Sequence, residues 1–154
     1  MMSSLHFSSE FERERPEQVI SKIVVTASAV FLVGAGLVLN FLPQEVAAAL
    51  GLGAAPMVVL ILQVLAAALL GMGFLDWLSK GNPMGGIYSR PLALENLLLY
   101  GVAAISLDRA ALHATAPRLI ELVAVVFTAF AIAFGWLMFL HDPTRKSQNK
   151  PAKP

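Results

Sequence analysis

Residues 76–100, DWLSKGNPMGGIYSRPLALENLLLY, interrupt an otherwise hydrocarbon-rich chain with ionisable residues, glycines and prolines. The apolar segments before and after this stretch are long enough to cross a membrane as helices. There are four such segments, and the stretch contains the connection between the second and the third. The sequence therefore predicts an all-α integral membrane four-helix bundle.

The composition favours a membrane domain over a soluble one. Of the 154 residues, 57% are hydrophobic and 14% are charged, whereas soluble domains carry roughly 25% charged residues. Between Lys22 and Asp76 the only charged residue is Glu45, so the helices of this region lack the polar face that a soluble surface helix needs. The chain has no cysteine, which excludes structural disulfides and thiol redox chemistry.

Prolines and glycines set the predicted bounds of the helices. Pro43 ends the first span, and Pro56 and Pro117 open the second and fourth. Glu45–Leu50 is predicted to form a helical turn before Gly51 and Gly53, and Asp108 with Arg109 is predicted to end the third span. The four spans are predicted at 20–42, 57–78, 92–107 and 117–140.

The basic residues predict the orientation of the bundle. Nine lie in the N-terminal arm, the loop between spans two and three, and the C-terminal tail, namely Arg13, Arg15, Lys22, Lys80, Arg90, Arg145, Lys146, Lys150 and Lys153. Only Arg109 and Arg118 lie in the other two loops. The positive-inside rule then predicts an N-in/C-in topology in a cell inner (plasma) membrane, with a cytoplasmic N-terminal arm (1–19), a four-span domain (20–140) and a disordered basic cytoplasmic tail (141–154).

The third span is the least favourable one to insert. Its eight Leu, Ile and Val residues contribute about 0.3–0.6 kcal/mol each, while a central acidic residue costs about 2.5–3.5 kcal/mol. We therefore expect Glu95 and Asn96 to face other helices or a wet cavity and not lipid.

A predicted polar site gathers near the cytoplasmic boundary of spans two and three. Its residues are Asp76, Tyr88, Arg90, Glu95, Asn96 and Tyr100. One interpretation is a structural lock in which Arg90 pairs with Asp76 or Glu95, or in which Asp76 pairs with Lys80 four residues later. The other is a ligand pocket in which Arg90 binds an anionic head group and Glu95 or Asp76 handles a proton or a polar substrate group.

A second polar set is predicted toward the outer side and consists of Asn40, Gln63 and Glu121. An interhelical hydrogen bond best explains Gln63, and Ala67 with Gly71 forms a small-residue pair on the same helix. Gln63 and Asp76 are 13 residues apart, or about 20 Å along a helix. They cannot share one compact site, which argues against a channel within one copy.

No cofactor or metal is predicted. His6, His113 and His141 fall in different regions, so no two helical histidines can ligate one haem, and no cluster has the spacing of metal ligands. Phe127, Phe130 and Phe134 recur at helical spacing as a packing face or a lipid-facing stripe.

The order of spans, with GGIYSRPLALEN at residues 85–96 between the second and the third, resembles small bacterial inner-membrane proteins, in outline the DoxX-like group. The resemblance covers roughly residues 20–140. It implies a membrane location and four-helix topology, and it carries no catalytic residue to this chain.

Three functional hypotheses remain open. The first is a non-enzymatic membrane protein, a small subunit or interaction partner in a membrane assembly, in contact with lipids and with a membrane-protein partner or further copies of itself. The second is a binding protein or enzyme for a lipid-like or quinone-like molecule, held by Arg90, Glu95, Asn96 and Tyr100. The third is an oligomeric transporter or channel. The dispersed basic residues exclude a nucleic-acid surface.

Overall fold

The computed structural model of the protein describes residues 16–80, 89–112 and 116–140. Within these ranges the chain is helical, with four long helices and one short one. They are α1 (Pro16–Phe41), α2 (Pro43–Ala49), α3 (Pro56–Ser79), α4 (Ser89–Ala111) and α5 (Arg118–Leu140).

The four long helices have the length and apolarity of membrane spans. The spanning segments are Val19–Phe41, Pro56–Ser79, Pro91–Ala111 and Arg118–Phe139. Large apolar side chains such as Phe41, Leu78 and Phe139 are more than two-thirds exposed on the outside of the bundle. The structure confirms the predicted all-helical architecture with four helices that are long and apolar enough to span a membrane.

The helices extend beyond several predicted bounds. α1 begins at Pro16, ahead of the span predicted from residue 20, and α4 runs from Ser89 to Ala111 and not only over 92–107. Asp108 therefore does not end α4, since its carbonyl accepts a hydrogen bond from the N–H of Leu112. Charged side chains mark where the apolar stretch stops, but the backbone hydrogen bonds of a helix continue into the polar boundary.

α2 makes the corner between α1 and α3. Pro43 opens it, where the missing N–H removes no helical bond. At its end the N–H of Leu52 bonds the Ala47 carbonyl and the N–H of Gly51 bonds the Ala48 carbonyl. This is a Schellman motif, and it requires the left-handed φ of +71° that Gly51 adopts.

The long helices pack mainly as two pairs, α1 with α3 and α4 with α5. α1 and α3 run antiparallel and approach closely at two glycines. A Cβ on Gly36 would lie 3.0 Å from the Ala66 carbonyl oxygen, and a Cβ on Gly73 would lie 2.9 Å from the backbone nitrogen of Val33. Only glycine permits this approach of the two backbones.

Candidate functional site: a buried polar cluster

Four polar side chains from three helices meet inside the bundle. Ser28 comes from α1, Asp76 from the last turn of α3, and Asn96 and Tyr100 from one face of α4. None of the four is more than 2% exposed. We call these four residues the polar cluster.

Short hydrogen bonds connect the members of the polar cluster. Ser28 Oγ donates to Asp76 Oδ2 at 2.6 Å, and Asn96 Nδ2 donates to Asp76 Oδ1 at 2.6 Å. Tyr100 Oη lies 2.8 Å from Ser28 Oγ. Because the single hydroxyl proton of Ser28 is directed to Asp76, Tyr100 is the donor in this last bond.

Every donor in the polar cluster is engaged. The second amide proton of Asn96 goes to the Leu92 carbonyl at 3.2 Å, and Ser28 and Tyr100 have one proton each. Over the described residues, no buried side-chain nitrogen or oxygen lacks a partner. The cluster joins α1, α3 and α4 and has no spare hydrogen-bond donor to offer a ligand.

An aromatic layer attaches α5 to the polar cluster through the ring of Tyr100. This ring stacks on Phe130 with a centroid distance of 4.8 Å and on Phe134 at 5.8 Å, and it meets Phe127 edge to face at 5.3 Å. Phe31 of α1 packs on the same layer, 5.7 Å from Phe127. The phenylalanines of α5 are thus a packing face, and Tyr100 connects the polar cluster to it.

The structure brings together three of the six residues of the predicted polar site. Asp76, Asn96 and Tyr100 are in direct or one-step hydrogen-bond contact, and Glu95 is half-buried on α4 beside the cluster. Tyr88 lies outside the described residues, and of Arg90 only the helical backbone is described. Among the described side chains, Ser28 and Asn96 bond Asp76, and the pairing of Arg90 with Asp76 or Glu95 stays a prediction.

The alternative pairing of Asp76 with Lys80 is replaced by another contact. Lys80 Nζ lies over the ring of Trp77, 2.9 Å from its centroid, which is a cation–π arrangement. Trp77 is 45% exposed at the end of α3. Lys80 therefore belongs to the boundary of the bundle, whereas Asp76 belongs to its interior.

Sequence reasoning missed Ser28 as a member of the site. As a small residue, Ser28 is expected to let a neighbouring helix approach, and this expectation assigns no partner to its hydroxyl. Serines in membrane helices commonly bond the carbonyl four residues earlier, as Ser79 does with Leu75 and Ser106 with Val102. A serine on a buried apolar face opposite an acidic residue was the only available signal.

The residues of the predicted outer polar set lie on the surface of the bundle. Asn40, Gln63 and Glu121 are all exposed on the outside of the bundle. The hydrogen bond expected for Gln63 is not made to another helix in the described part of the chain. Ala67 and Gly71 share its exposed face, and a Cβ on Gly71 would meet nothing within 4 Å.

A smaller polar contact connects α4 with α5. Thr128 Oγ1 donates to Asp108, 3.1 Å from Oδ2 and 3.3 Å from Oδ1. Both side chains are at least partly accessible. They lie near the C-terminal end of α4, whereas Asn96 lies nearer its N-terminal end. This contact explains how Asp108 is accommodated within the helix.

A comparison with known protein families, curated proteins and solved structures found no match to this chain. The DoxX-like resemblance accordingly stays a prediction.

Proposed function

We propose that this chain is a non-enzymatic membrane subunit whose polar interior serves its own architecture and whose outer surface binds a second transmembrane helix. The polar cluster supports the first half of this proposal. Its donors are used among its own members and the Leu92 carbonyl, which is the arrangement of a structural lock. An enzyme or a ligand pocket would need some of these groups turned toward an open space.

The outer face of α3 carries the second half of the proposal. Gln63, Ala67 and Gly71 recur every four residues along this face, and all three are exposed. Gln63 lies seven residues after Pro56, about 10 Å into the span. A carboxamide at this depth gains by bonding to another helix, and small residues let such a helix come close.

A second copy of the chain is the proposed partner. A glutamine carboxamide both donates and accepts, so two Gln63 side chains related by a twofold axis satisfy each other. Twofold contacts of this self-complementary kind are the commonest among homo-oligomers. The proposed assembly is therefore a dimer with two α3 helices crossing near Ala67 and Gly71.

Cysteine cross-linking in membranes tests this arrangement. Because the chain has no cysteine, Gln63→Cys, Ala67→Cys and Gly71→Cys each introduce a single thiol on the outer face of α3. We expect oxidation to give dimers at these positions and not at Ile132→Cys, which lies 68% exposed on α5. Monomers at all positions, or an adduct with a different protein at the three α3 positions, would contradict the second-copy proposal.

A bulky substitution distinguishes an effect on dimer formation from an effect on the fold of the monomer. Gly71→Leu adds a side chain where the bundle offers open space, so we expect an intact helical monomer that no longer cross-links through Gln63→Cys. Leu65→Phe, on another exposed part of α3, is the matched control and should leave cross-linking unchanged. A Gly71→Leu chain that still dimerises would place the contact elsewhere.

We infer that both termini face the cytoplasm of a bacterial cell and that the bundle lies in the inner membrane. The excess of basic residues, nine against two in the alternate loops and ends, supports this orientation. Reporter fusions test it: a C-terminal green fluorescent protein should fluoresce, and a C-terminal alkaline phosphatase should be inactive. The opposite pair of results would reverse the topology.

A further inference from the structure

Ser28 is the central residue of the polar cluster, because its hydroxyl oxygen contacts all three other members. Ser28 Oγ lies 2.6 Å from Asp76 Oδ2, 2.8 Å from Tyr100 Oη and 3.4 Å from Asn96 Oδ1. Each of these three contacts between oxygens needs one proton to become a hydrogen bond. The number of protons around Ser28 therefore decides which of the contacts are bonds.

With Asp76 as a carboxylate, the polar cluster has two protons for these three contacts. Ser28 and Tyr100 supply one hydroxyl proton each, and a carboxylate only accepts. The two protons form the bond of Ser28 to Asp76 and the bond of Tyr100 to Ser28. The contact with Asn96 Oδ1 then has no proton, and at 3.4 Å it is longer than the roughly 2.5–3.0 Å of an ordinary O–H···O bond.

The orientation of the Asn96 amide follows from the contacts of its nitrogen. Asn96 Nδ2 lies 2.6 Å from Asp76 Oδ1 and 3.2 Å from the Leu92 carbonyl oxygen, and these two acceptors use its two protons. Exchanging the nitrogen and the oxygen of the amide would place an oxygen against the Leu92 carbonyl. Asn96 Oδ1 therefore faces Ser28 as an acceptor, and it belongs to a side chain that is 2% exposed.

One further proton on Asp76 satisfies all three contacts. Its position is Oδ2, because Oδ1 faces the Asn96 amide nitrogen, which only donates. Asp76 Oδ2 then donates to Ser28 Oγ, and the Ser28 hydroxyl turns to donate to Asn96 Oδ1. Ser28 continues to accept from Tyr100, so three protons serve three contacts after the rotation of a single hydroxyl group.

We propose that the polar cluster is a proton-binding site and that Asp76 Oδ2 takes up the proton. The proton removes the charge of a side chain that is 1% exposed, and a neutral group costs far less to bury than a charged one. It also creates a bond from Ser28 of α1 to Asn96 of α4, so the protonation state changes the bonding between the two helix pairs. This site does not depend on the proposed dimer, and the polar cluster would still join the helices if it bound no proton.

Further ionisable residues lie at the same end of the bundle. Within the described ranges they are Glu17 and Lys22 on α1, Lys80 on α3, and Arg90 and Glu95 on α4, while α5 carries none there. Glu95 is half-buried, and its carboxyl group interacts electrostatically with that of Asp76. Arg90 is the predicted partner of either carboxylate. A test of the proton site therefore has to distinguish Asp76 from Glu95 and from a pair with Arg90.

Infrared spectroscopy tests the site, because a protonated carboxyl group has a C=O stretching band that a carboxylate lacks. The full chain is purified in a detergent without ester groups, and spectra are recorded over the pH range in which it keeps its helical circular dichroism. The spectrum of Asp76→Asn is subtracted at each pH to isolate the band of Asp76. We expect a protonated carboxyl band in this difference, and its absence at every pH would overturn the proposal.

Glu95→Gln and Arg90→Gln distinguish the site from its charged neighbours. The Asp76 band should persist when the same subtraction is made in a Glu95→Gln chain, and its loss there would assign the proton to Glu95. The band should also be unchanged in an Arg90→Gln chain. A band that appears only in Arg90→Gln would show that Asp76 is a carboxylate paired with Arg90. Either of these results would overturn the proposal.

Ser28→Ala tests the bond that carries the proton. Without the Ser28 hydroxyl the carboxyl group of Asp76 loses its acceptor, so its C=O band should shift to higher frequency. Ser106→Ala is the matched control, since Ser106 is exposed and bonds the Val102 carbonyl of its own helix, and it should leave the Asp76 band in place. An unshifted band in a Ser28→Ala chain that keeps its helical circular dichroism would overturn the proposal.

Discussion

The two faces of α3 carry similar residues in different surroundings. The inner face presents Ala66 and Gly73 against α1 and the polar Asp76 bonded to α1 and α4, and all three residues are buried. The outer face presents Ala67 and Gly71 with the polar Gln63, all exposed. Small residues combined with a polar one therefore occur both on a face packed within the bundle and on an exposed face, so this pattern alone does not predict which face is buried.

The largest difference in the free energy of unfolding is expected between substitutions of the polar residues on the two faces. Asp76→Leu removes the acceptor of Ser28 and Asn96, and each buried donor left unpaired costs about 1–3 kcal/mol. Gln63→Leu on the outer face should change the free energy of unfolding by less than about 0.5 kcal/mol. The measurement is detergent-induced unfolding in mixed micelles followed by circular dichroism.

Asp76→Asn is the conservative control for this comparison. It keeps one acceptor oxygen and the volume of the side chain, so the loss should be smaller than in Asp76→Leu. Equal stability of Asp76→Leu and the unaltered chain would show that the polar cluster does not hold the helices together.

The next largest difference in the free energy of unfolding is expected between alanine substitutions of the glycines on the two faces. Gly73→Ala places a Cβ 2.8 Å from Val33 Cγ2 and 2.9 Å from the Val33 nitrogen, and such overpacking costs about 1–3 kcal/mol. Gly71→Ala meets open space and replaces a poor helix former, so it should leave the unfolding free energy unchanged or slightly higher. If both variants were equally stable, the close approach of α1 and α3 would be wrong.

Tyr100→Phe sharpens the comparison by removing one hydrogen bond of the polar cluster, into which the inner face of α3 places Asp76, while keeping the aromatic layer. The lost donor to Ser28 should cost about 0.5–1.5 kcal/mol, while the ring keeps its stacking on Phe130. Combined with Ser28→Ala, the double variant should lose less than the sum of the two single losses, because both remove the same bond. Strict additivity would show that the two hydroxyls do not interact.

The smallest effect is expected at the accessible contact between α4 and α5. Thr128→Val removes the bond to Asp108 and keeps the shape of the side chain. Hydrogen bonds of this kind in membrane proteins average about 0.6 kcal/mol. A loss as large as that of Asp76→Leu would show that accessibility does not distinguish the two polar contacts.

Most of the fold was predictable because membrane spans follow from length and apolarity. The prediction found all four long helices and the short turn before Gly51, and it misplaced the two ends of α4. Its C-terminal end was assigned at Asp108, whose charge ends the apolar run but whose side chain is accommodated by Thr128. Charge marks a membrane boundary more reliably than it marks the end of a helix.

The candidate site was predictable only in part. Asp76, Asn96 and Tyr100 were expected together because polar groups in a span avoid lipid. Their common partner Ser28 and the close approach at Gly73 depend on the rotation of α1 against α3. In a membrane this rotation is weakly encoded, since lipid-facing and core-facing residues are both apolar and hydrophobic periodicity is faint.

The placement of Ser28 and Asp76 bears on how the chain enters the membrane during synthesis. α1 and α3 precede α4 in the chain and are joined by the short corner of α2, so the Ser28 hydroxyl and the Asp76 carboxyl can meet before α4 is made. α4 is the least apolar of the four spans. Asn96 and Tyr100 of α4 can then form hydrogen bonds with this pair without first being exposed to lipid. We infer that the first helical hairpin recruits the third span, and protease protection of an Asp76→Leu chain would show whether that recruitment is lost.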